Sequence, residues 1–288
     1  MTDLAALSAR ALAKAIRDKK VSSVEATKAA IERLQACHEL THCIIALEDD
    51  EALAAAKAAD AAIAKGSAKG PLAGVPLAHK DMFDRKGKIA SWGAKIHADK
   101  PAAEDATAIA RFKASGALQI ATLHLAEFAY GPTGHNYVLG HARNPWDPTR
   151  ITGGSSAGTA AARSPTAPFP SGLGSDTGGS LRLPAACCGV TSIKPTWGRI
   201  SRAGAMPLAP ALDTVGVIAR HVEDLALTLG FLAGPDARDP AASTLPVPDY
   251  VARLDDPVKG LQDRHRRGRG CRGAPDVQRM VDRMCWRS

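Results

Sequence analysis

Between residues 4 and 18 the apolar side chains of Leu4, Leu7, Ala11, Leu12, Ala15 and Ile16 recur three or four positions apart, which predicts a helix with one apolar face. A second helix is predicted to start in VSSVEATKAAIERLQ, where Ser22 and Glu25 stand at the spacing of a capping box. A third, rich in alanine, runs from about Asp49 to Lys65 and stops at Gly66. Residues 1–65 are therefore expected to form a helical layer over one side of a core. From residue 70 the pattern changes to short apolar segments separated by Gly and Pro. GPLAGVPLAHKD is one such segment, and ATAIARFKASGALQIATLHLAEFA reads as helix, Gly116, strand. Helices alternating with short apolar strands predict an α/β fold, a mixed and mostly parallel central sheet covered by helices. A further helix is expected from about Val222 to Leu232, with Glu223 and Asp224 in its first turn facing the positive end of its dipole.

Two stretches fall outside this pattern. Residues 131–158, GPTGHNYVLGHARNPWDPTRITGGSSAG, are polar and rich in Gly and Pro, and an unstructured connection of that length is commonly functional or disordered. Tyr137 and Trp146 inside it favour order and function. Residues 261–288 hold one Leu, no Ile and no Phe against eight Arg, so they offer almost nothing to bury and read as a disordered basic tail. The expected division is thus a helical layer at 1–65, an α/β core at 66–260 and a tail at 261–288.

Composition narrows the classes. The chain of 288 residues is 45% apolar, enough for a sizeable core, and only 4% aromatic. Its net charge of +8 is concentrated at the end: residues 259–288 carry +6, leaving +2 for the rest. A body so close to neutral implies no polyanionic partner, so nucleic acid is not expected. The six cysteines show no C-x-x-C pair and no zinc-like spacing with histidine, which favours free thiols. MTDLAALSARALAKAIRDKK lacks the basic start and apolar core of a signal peptide, and no run approaches the roughly 18 apolar residues that span a bilayer. A cytoplasmic protein with no membrane partner is expected.

Three motifs carry candidate chemistry: His79-Lys80-Asp81, GGSSAG at 153–158 and GSDTGGSLR at 174–182. GSSAG matches the nucleophile-elbow pattern formally, but NPWDPTRITG before it is no strand. A Walker phosphate loop would need Gly-Lys-Ser/Thr, which neither glycine cluster supplies. A serine–lysine arrangement fits better, since a lysine whose ammonium is desolvated can act as base, and LAGVPLA before Lys80 can bury its stem. Gly178 and Gly179 would let backbone N–H groups turn toward a substrate without a Cβ in the way. Asp176 is expected to accept N–H bonds of its own loop and Arg182 to pair with a carboxylate. Cys187 and Cys188, vicinal and flanked by apolar residues, read as packing.

Taken together, GVPLAHKD, RNPWDPTRITGGSSAG and GSDTGGSLRLPAACCGVTSIKPTWGRIS resemble the successive motifs of the amidase signature family, over about residues 4–260. The resemblance implies a Ser-cisSer-Lys triad, with Ser180 as nucleophile, Ser155 as the cis-peptide bridge and Lys80 as base. It implies an oxyanion hole of the N–H groups of Thr177, Gly178, Gly179 and Ser180, with Ser156, Asp176 and Arg182 in support. No metal or cofactor is required. Its partner would be a small-molecule amide, cleaved to acid and ammonia or amine, and a homodimer is compatible with it.

The alternative within the family is the amidase subunit of a glutamyl/aspartyl-tRNA amidotransferase, which needs partner subunits. The alternative outside it is an inactive core serving as a binding protein. Thr152 and Ala157 are mild departures from the family pattern. RSPTAPFPS, with three prolines between the serine motifs, is a serious one that threatens the placement of Ser155, and the sequence after VARLDDPVKGL is another. Both read as shifts of reading frame, compensated around 163–171 and uncorrected after about 261, which would truncate the family's C-terminal part and leave activity in doubt.

Overall fold

Helix α1 spans Ala9–Arg17, later than the apolar face alone suggests, because the Ser8 side chain accepts the Ala11 N–H and caps the helix there. Leu4–Ala6 form a short 3-10 turn before it. The computed structural model describes residues 4–96, 99–163 and 169–257. Helix α2, Ser23–Thr41, opens with the expected capping box: Ser22 Oγ accepts from Glu25 N at 3.0 Å and Glu25 Oε2 accepts from Ser22 N at 2.7 Å. It ends at His42, whose left-handed φ of 52° turns the chain into β1, Ile44–Leu47, a strand too short to stand out in the sequence. Helix α3 covers Asp49–Ala64.

Strand β2, Pro76–Lys80, helix α4, Thr107–Ala114, and strand β3, Leu118–Leu123, form a crossover unit in which β2 and β3 are parallel. Strand β1 pairs with β3 antiparallel, giving the order β1-β3-β2. Strand β4, Ser171–Asp176, and β5, Thr191–Ile193, flank β6, Thr214–Ala219, both antiparallel to it. The fold is mixed α/β, as the alternating pattern predicts, but the balance of directions is not. Among the described residues one pairing is parallel and three are antiparallel, because α4 is the one helix that carries the chain back between two paired strands.

Helix α5, Ala157–Ala161, follows the first serine motif, α6, Arg182–Cys188, the second, and α7, Val222–Leu232, follows β6. Helix α5 is short and ends at Ala161. One core joins Leu12 and Ile16 of α1 to Val75, Ile109, Phe112, Val217 and Leu229, so the N-terminal helices and both sheets bury apolar surface together. At roughly 1.5–3 kcal/mol for each such side chain, this burial is the main stabilising term. A second cluster packs Ile31, Leu34 and Cys37 of α2 against Ala78, Ile120, Leu123 and Phe169. Residues up to Val251 make one unit. The expected basic tail at 261–288 and residues 164–168 of the proline-rich stretch lie outside the described residues.

The long polar connection is ordered by side chains that replace the missing ladder bonds. Asn136 Nδ2 donates to Gly93 O and Leu125 O, while its Oδ1 accepts from Val138 N and Leu139 N. Asn144 Nδ2 donates to Ile151 O and Cys187 O, and Trp146 Nε1 to Cys188 O. Tyr137, by contrast, is 86% exposed and anchors nothing of the core. No helix among the described residues is long and apolar enough to cross a membrane.

Candidate active site

Strand alternation sends His79 and Lys80 to opposite faces of β2. His79 Nδ1 meets Gln119 Oε1 at 2.5 Å, and burial with the nearby Arg85 charge pushes its pKa down to about 3, so it stays neutral. Lys80 is fully buried on the other face and donates from Nζ to Ser155 Oγ at 2.7 Å and Ser175 Oγ at 3.0 Å. Burial lowers its pKa from 10.5 to about 7, against the opposing pull of the Asp176 and Asp213 carboxylates. A lysine in this setting exchanges a proton near neutral pH.

Ser155 follows a cis peptide bond from Gly154. Its loop is fixed on both sides: Gly154 N donates to Pro132 O at 2.7 Å, and Ala126 N donates to Ser155 O at 3.1 Å. Gly154 has no room for a side chain, since a Cβ there would stand 2.5 Å from Gly131 O. Ser156 ties this loop to the second motif, its N–H donating to Ser180 O at 3.3 Å and its Oγ to Ser175 O at 3.3 Å. Despite the prolines that follow α5, Ser155 therefore sits on Lys80.

GSDTGGSLR runs from β4 into α6 around the buried Asp176. Its Oδ1 accepts from Gly179 N at 2.9 Å and its Oδ2 from Leu181 N at 3.1 Å, and both oxygens accept from the Arg182 guanidinium at 2.9 and 3.0 Å. Burial raises the pKa of this carboxyl, but the bonds from Arg182 and Leu181 outweigh it and hold it below the ordinary range. These bonds correct one expectation. The Gly179 N–H is turned inward to Asp176, so it is no free donor for a substrate oxygen. The N–H groups of Thr177, Gly178 and Ser180 have no partner among the described residues. Gly179 needs its missing side chain for a φ of 135°, whereas a Cβ at Gly178 would meet nothing within 4 Å.

The Ser180 side chain is half-buried and, among the described residues, its hydroxyl makes no hydrogen bond. The structure thus joins Lys80 to Ser155 side chain to side chain, and joins Ser180 to that pair through the Ser156 backbone. Two residues not singled out by sequence complete the site. Ser175, inside the same motif, is the second hydroxyl on Lys80. Asp213 accepts from Thr177 Oγ1 at 2.6 Å and also from Leu208 N and Ala209 N. Position 175 in the quoted motif was a signal for the first; nothing local to Asp213 signals the second.

Beside these residues lies a cavity of about 210 Å³ lined by apolar side chains such as Met82, Met206 and Val215 and by the charged Arg202, Asp213 and Arg238, among others. Cys188 is not among its lining residues; it is buried with Sγ 3.4 Å from Thr152 O, and burial pushes its pKa up to about 12. Among the described residues no three His, Cys, Asp or Glu side chains are grouped to hold a metal ion.

Comparison with known proteins agrees over most of the chain. The family model described as Amidase matches residues 25–284. A glutamyl-tRNA(Gln) amidotransferase subunit from Geobacter sulfurreducens is 44% identical over 268 residues, covering 92% of this chain and 54% of that protein. Among solved structures, a chain from a vestigial protein complex linked to the origins of an s-triazine catabolic enzyme superposes with a TM-score of 0.85 at 38% identity, covering 89% of this chain and 56% of that one. Native peptide amidase from Stenotrophomonas maltophilia superposes with a TM-score of 0.80 at 33% identity, covering 86% and 53%. The chain spans about half the length of the curated relatives it matches.

Proposed function

The chain belongs to the amidase family, and from that premise we propose that it cleaves a carboxylic amide through a serine acyl-enzyme, as the amidase subunit of a glutamyl-tRNA(Gln) amidotransferase that frees ammonia from glutamine. The observation that carries the chemistry is Lys80, fully buried and hydrogen-bonded at 2.7 Å to a serine behind a cis peptide bond. Neutral Lys80 draws the proton of Ser155, and Ser155 draws that of Ser180, whose unengaged hydroxyl attacks the amide carbon. The developing oxyanion takes the N–H groups of Thr177, Gly178 and Ser180, each such donor typically supplying about 3 kcal/mol. The relay then runs backward, and Ser155 hands its proton to the leaving ammonia. Water enters by the same route and releases the acid.

Substrate and partners follow the nearer resemblance. Identity to the amidotransferase relative, at 44%, exceeds that to the peptide amidase, at 33%. The test is ammonia release from glutamine, measured with and without the remaining subunits of an amidotransferase and its charged tRNA. Release that depends on those additions supports the reading. Hydrolysis of simple amides by the chain alone, with glutamine untouched, returns it to a stand-alone amidase.

A further inference from the structure

The register of the second sheet sets Thr177 opposite Asp213. Strands β4 and β6 are antiparallel, and their ladder ends on the pair Asp176 and Thr214. One residue beyond the end of each strand the partners are Thr177 and Asp213, and side chains directly opposite across such a ladder lie within reach of each other. Thr177 Oγ1 donates to Asp213 Oδ1 at 2.6 Å. Thr177 is also one of the residues whose N–H stands open beside Ser180, so this bond holds a residue that must keep its backbone aimed at a substrate oxygen.

The Asp213 carboxylate has a second set of partners. Leu208 N donates to Oδ2 at 2.9 Å, and Ala209 N donates to Oδ1 at 3.0 Å and to Oδ2 at 2.9 Å. Asp213 N closes the same turn by donating to Ala209 O at 2.9 Å. Leu208 belongs to the wall of the cavity with Met206 and Pro207, and Thr177 and Asp213 line the same cavity. Among the described residues no backbone hydrogen bond joins Thr177 to residues 206–210, so the carboxylate is the bridge between the wall and the donor loop. Asp176 and Asp213 are also the two charges that act on Lys80, both favouring its protonated form.

We propose that Asp213 is a positioning residue: it ties the cavity wall at Leu208 and Ala209 to Thr177, and so holds the Thr177 N–H where the oxyanion forms when Ser180 attacks. Its own hydrogen bonds reach neither Ser180 nor Lys80. It acts through Thr177 on the donor and through space on the base. The assignment rests on the reading of Ser180 as nucleophile and of the open N–H groups as its oxyanion donors.

Two variants separate the tie from the charge. Thr177→Val removes the hydroxyl and keeps the carboxylate, whereas Asp213→Asn keeps an oxygen for Thr177 and removes the charge. Both should fold, because the wall is also held by Met206 N donating to Met82 O at 2.9 Å and by Arg202 and Trp197 donating to Pro210 O. Labelling of Ser180 in the full chain by a fluorophosphonate is followed from about pH 5 to pH 9. Ser180 Oγ bonds to phosphorus, fluoride leaves and the phosphoryl oxygen takes the oxyanion position, so the plateau rate reports the donors and the midpoint reports Lys80.

Thr177→Val should lower the plateau on the order of 10- to 100-fold with the midpoint still near pH 7, and Thr177→Ser, which restores the hydroxyl, should recover it. Asp213→Asn should shift the midpoint to the acid side of pH 7, since one of the two carboxylates favouring the charged lysine is gone. A Thr177→Val plateau within about twofold of wild type overturns the tie. An Asp213→Asn midpoint that does not move overturns the action on Lys80, and this arm decides alone if Thr177→Val does not fold. Wild-type protein that takes no label on Ser180 overturns the reading of the site itself, an outcome distinct from a labelled wild type whose variants behave like it.

Discussion

Lys80 and Arg163 are both cations with no exposed surface, both bound to β2 or its backbone, and their surroundings differ in kind. Lys80 faces two hydroxyls, groups that can give or take a proton, and burial brings its own proton loss to about pH 7. Arg163 faces three carbonyls that can only accept, and it keeps its charge. Equal burial thus yields a titrating base on one side and a fixed clamp on the other. The chemistry of the neighbours, not the depth, decides which.

Exchanging the two roles should have the largest effect. Lys80→Arg keeps a cation but removes the proton acceptor, so acylation of Ser180 should fall on the order of 1,000-fold, as far as in Lys80→Ala. Acylation rates measured with a fluorophosphonate check this, and a Lys80→Arg variant within tenfold of wild type would break the comparison. On the other side, Arg163→Ala strands three buried carbonyls and should cost about 3–5 kcal/mol in urea unfolding, with Arg163→Lys recovering part of it. A cost under about 1 kcal/mol would mean that Arg163 pins nothing.

Stability and pH sharpen the contrast further. The Lys80 pKa is about 7 in the folded chain and its ordinary value of 10.5 applies when unfolded, so between those values the unfolded state binds more protons. Stability should therefore rise with pH from about 7 toward 10.5, while below pH 7 the cost of burying Lys80 stays constant. Lys80→Met should remove this slope and be more stable than wild type by ~5 kcal/mol at pH 6, with most of the advantage gone near pH 10. Urea unfolding at the two pH values gives the sign.

The smallest expected effect divides Gly178 from Gly179. Gly179→Ala forces a side chain into a φ of 135° and should cost about 1–3 kcal/mol of stability. Gly178→Ala meets no neighbouring atom, so it should fold within about 1 kcal/mol of wild type while slowing acylation by intruding on the substrate's approach. Equal losses of stability in both would blur the distinction between a shaped turn and an open donor.

Residue types were informative where a side chain signals its own local role. The capping box of Ser22 and Glu25 is such a case, and so are Asp176 with its loop N–H bonds and the contact of Lys80 with Ser155, whose motifs stand 75 residues apart. The rest depended on backbone positions far apart in sequence. Arg163 reads in the sequence as the first residue of a proline-rich departure, because its partners are carbonyls, and a carbonyl has no residue type. The direction of the Gly179 N–H was hidden for a similar reason: GG announces a tight turn but not which N–H the neighbouring carboxylate will claim. The sheet's antiparallel majority was missed because short apolar strands look the same in either direction.

The most direct measurement is the rate of fluorophosphonate labelling as a function of pH, with the labelled residue mapped. Label is expected on Ser180, absent in Ser180→Ala, with a rate that rises through a midpoint near pH 7 as Lys80 gives up its proton. Label on a different serine, or a rate on Ser180 that stays flat from about pH 5 to pH 9, would contradict the assignment of Lys80 as its base.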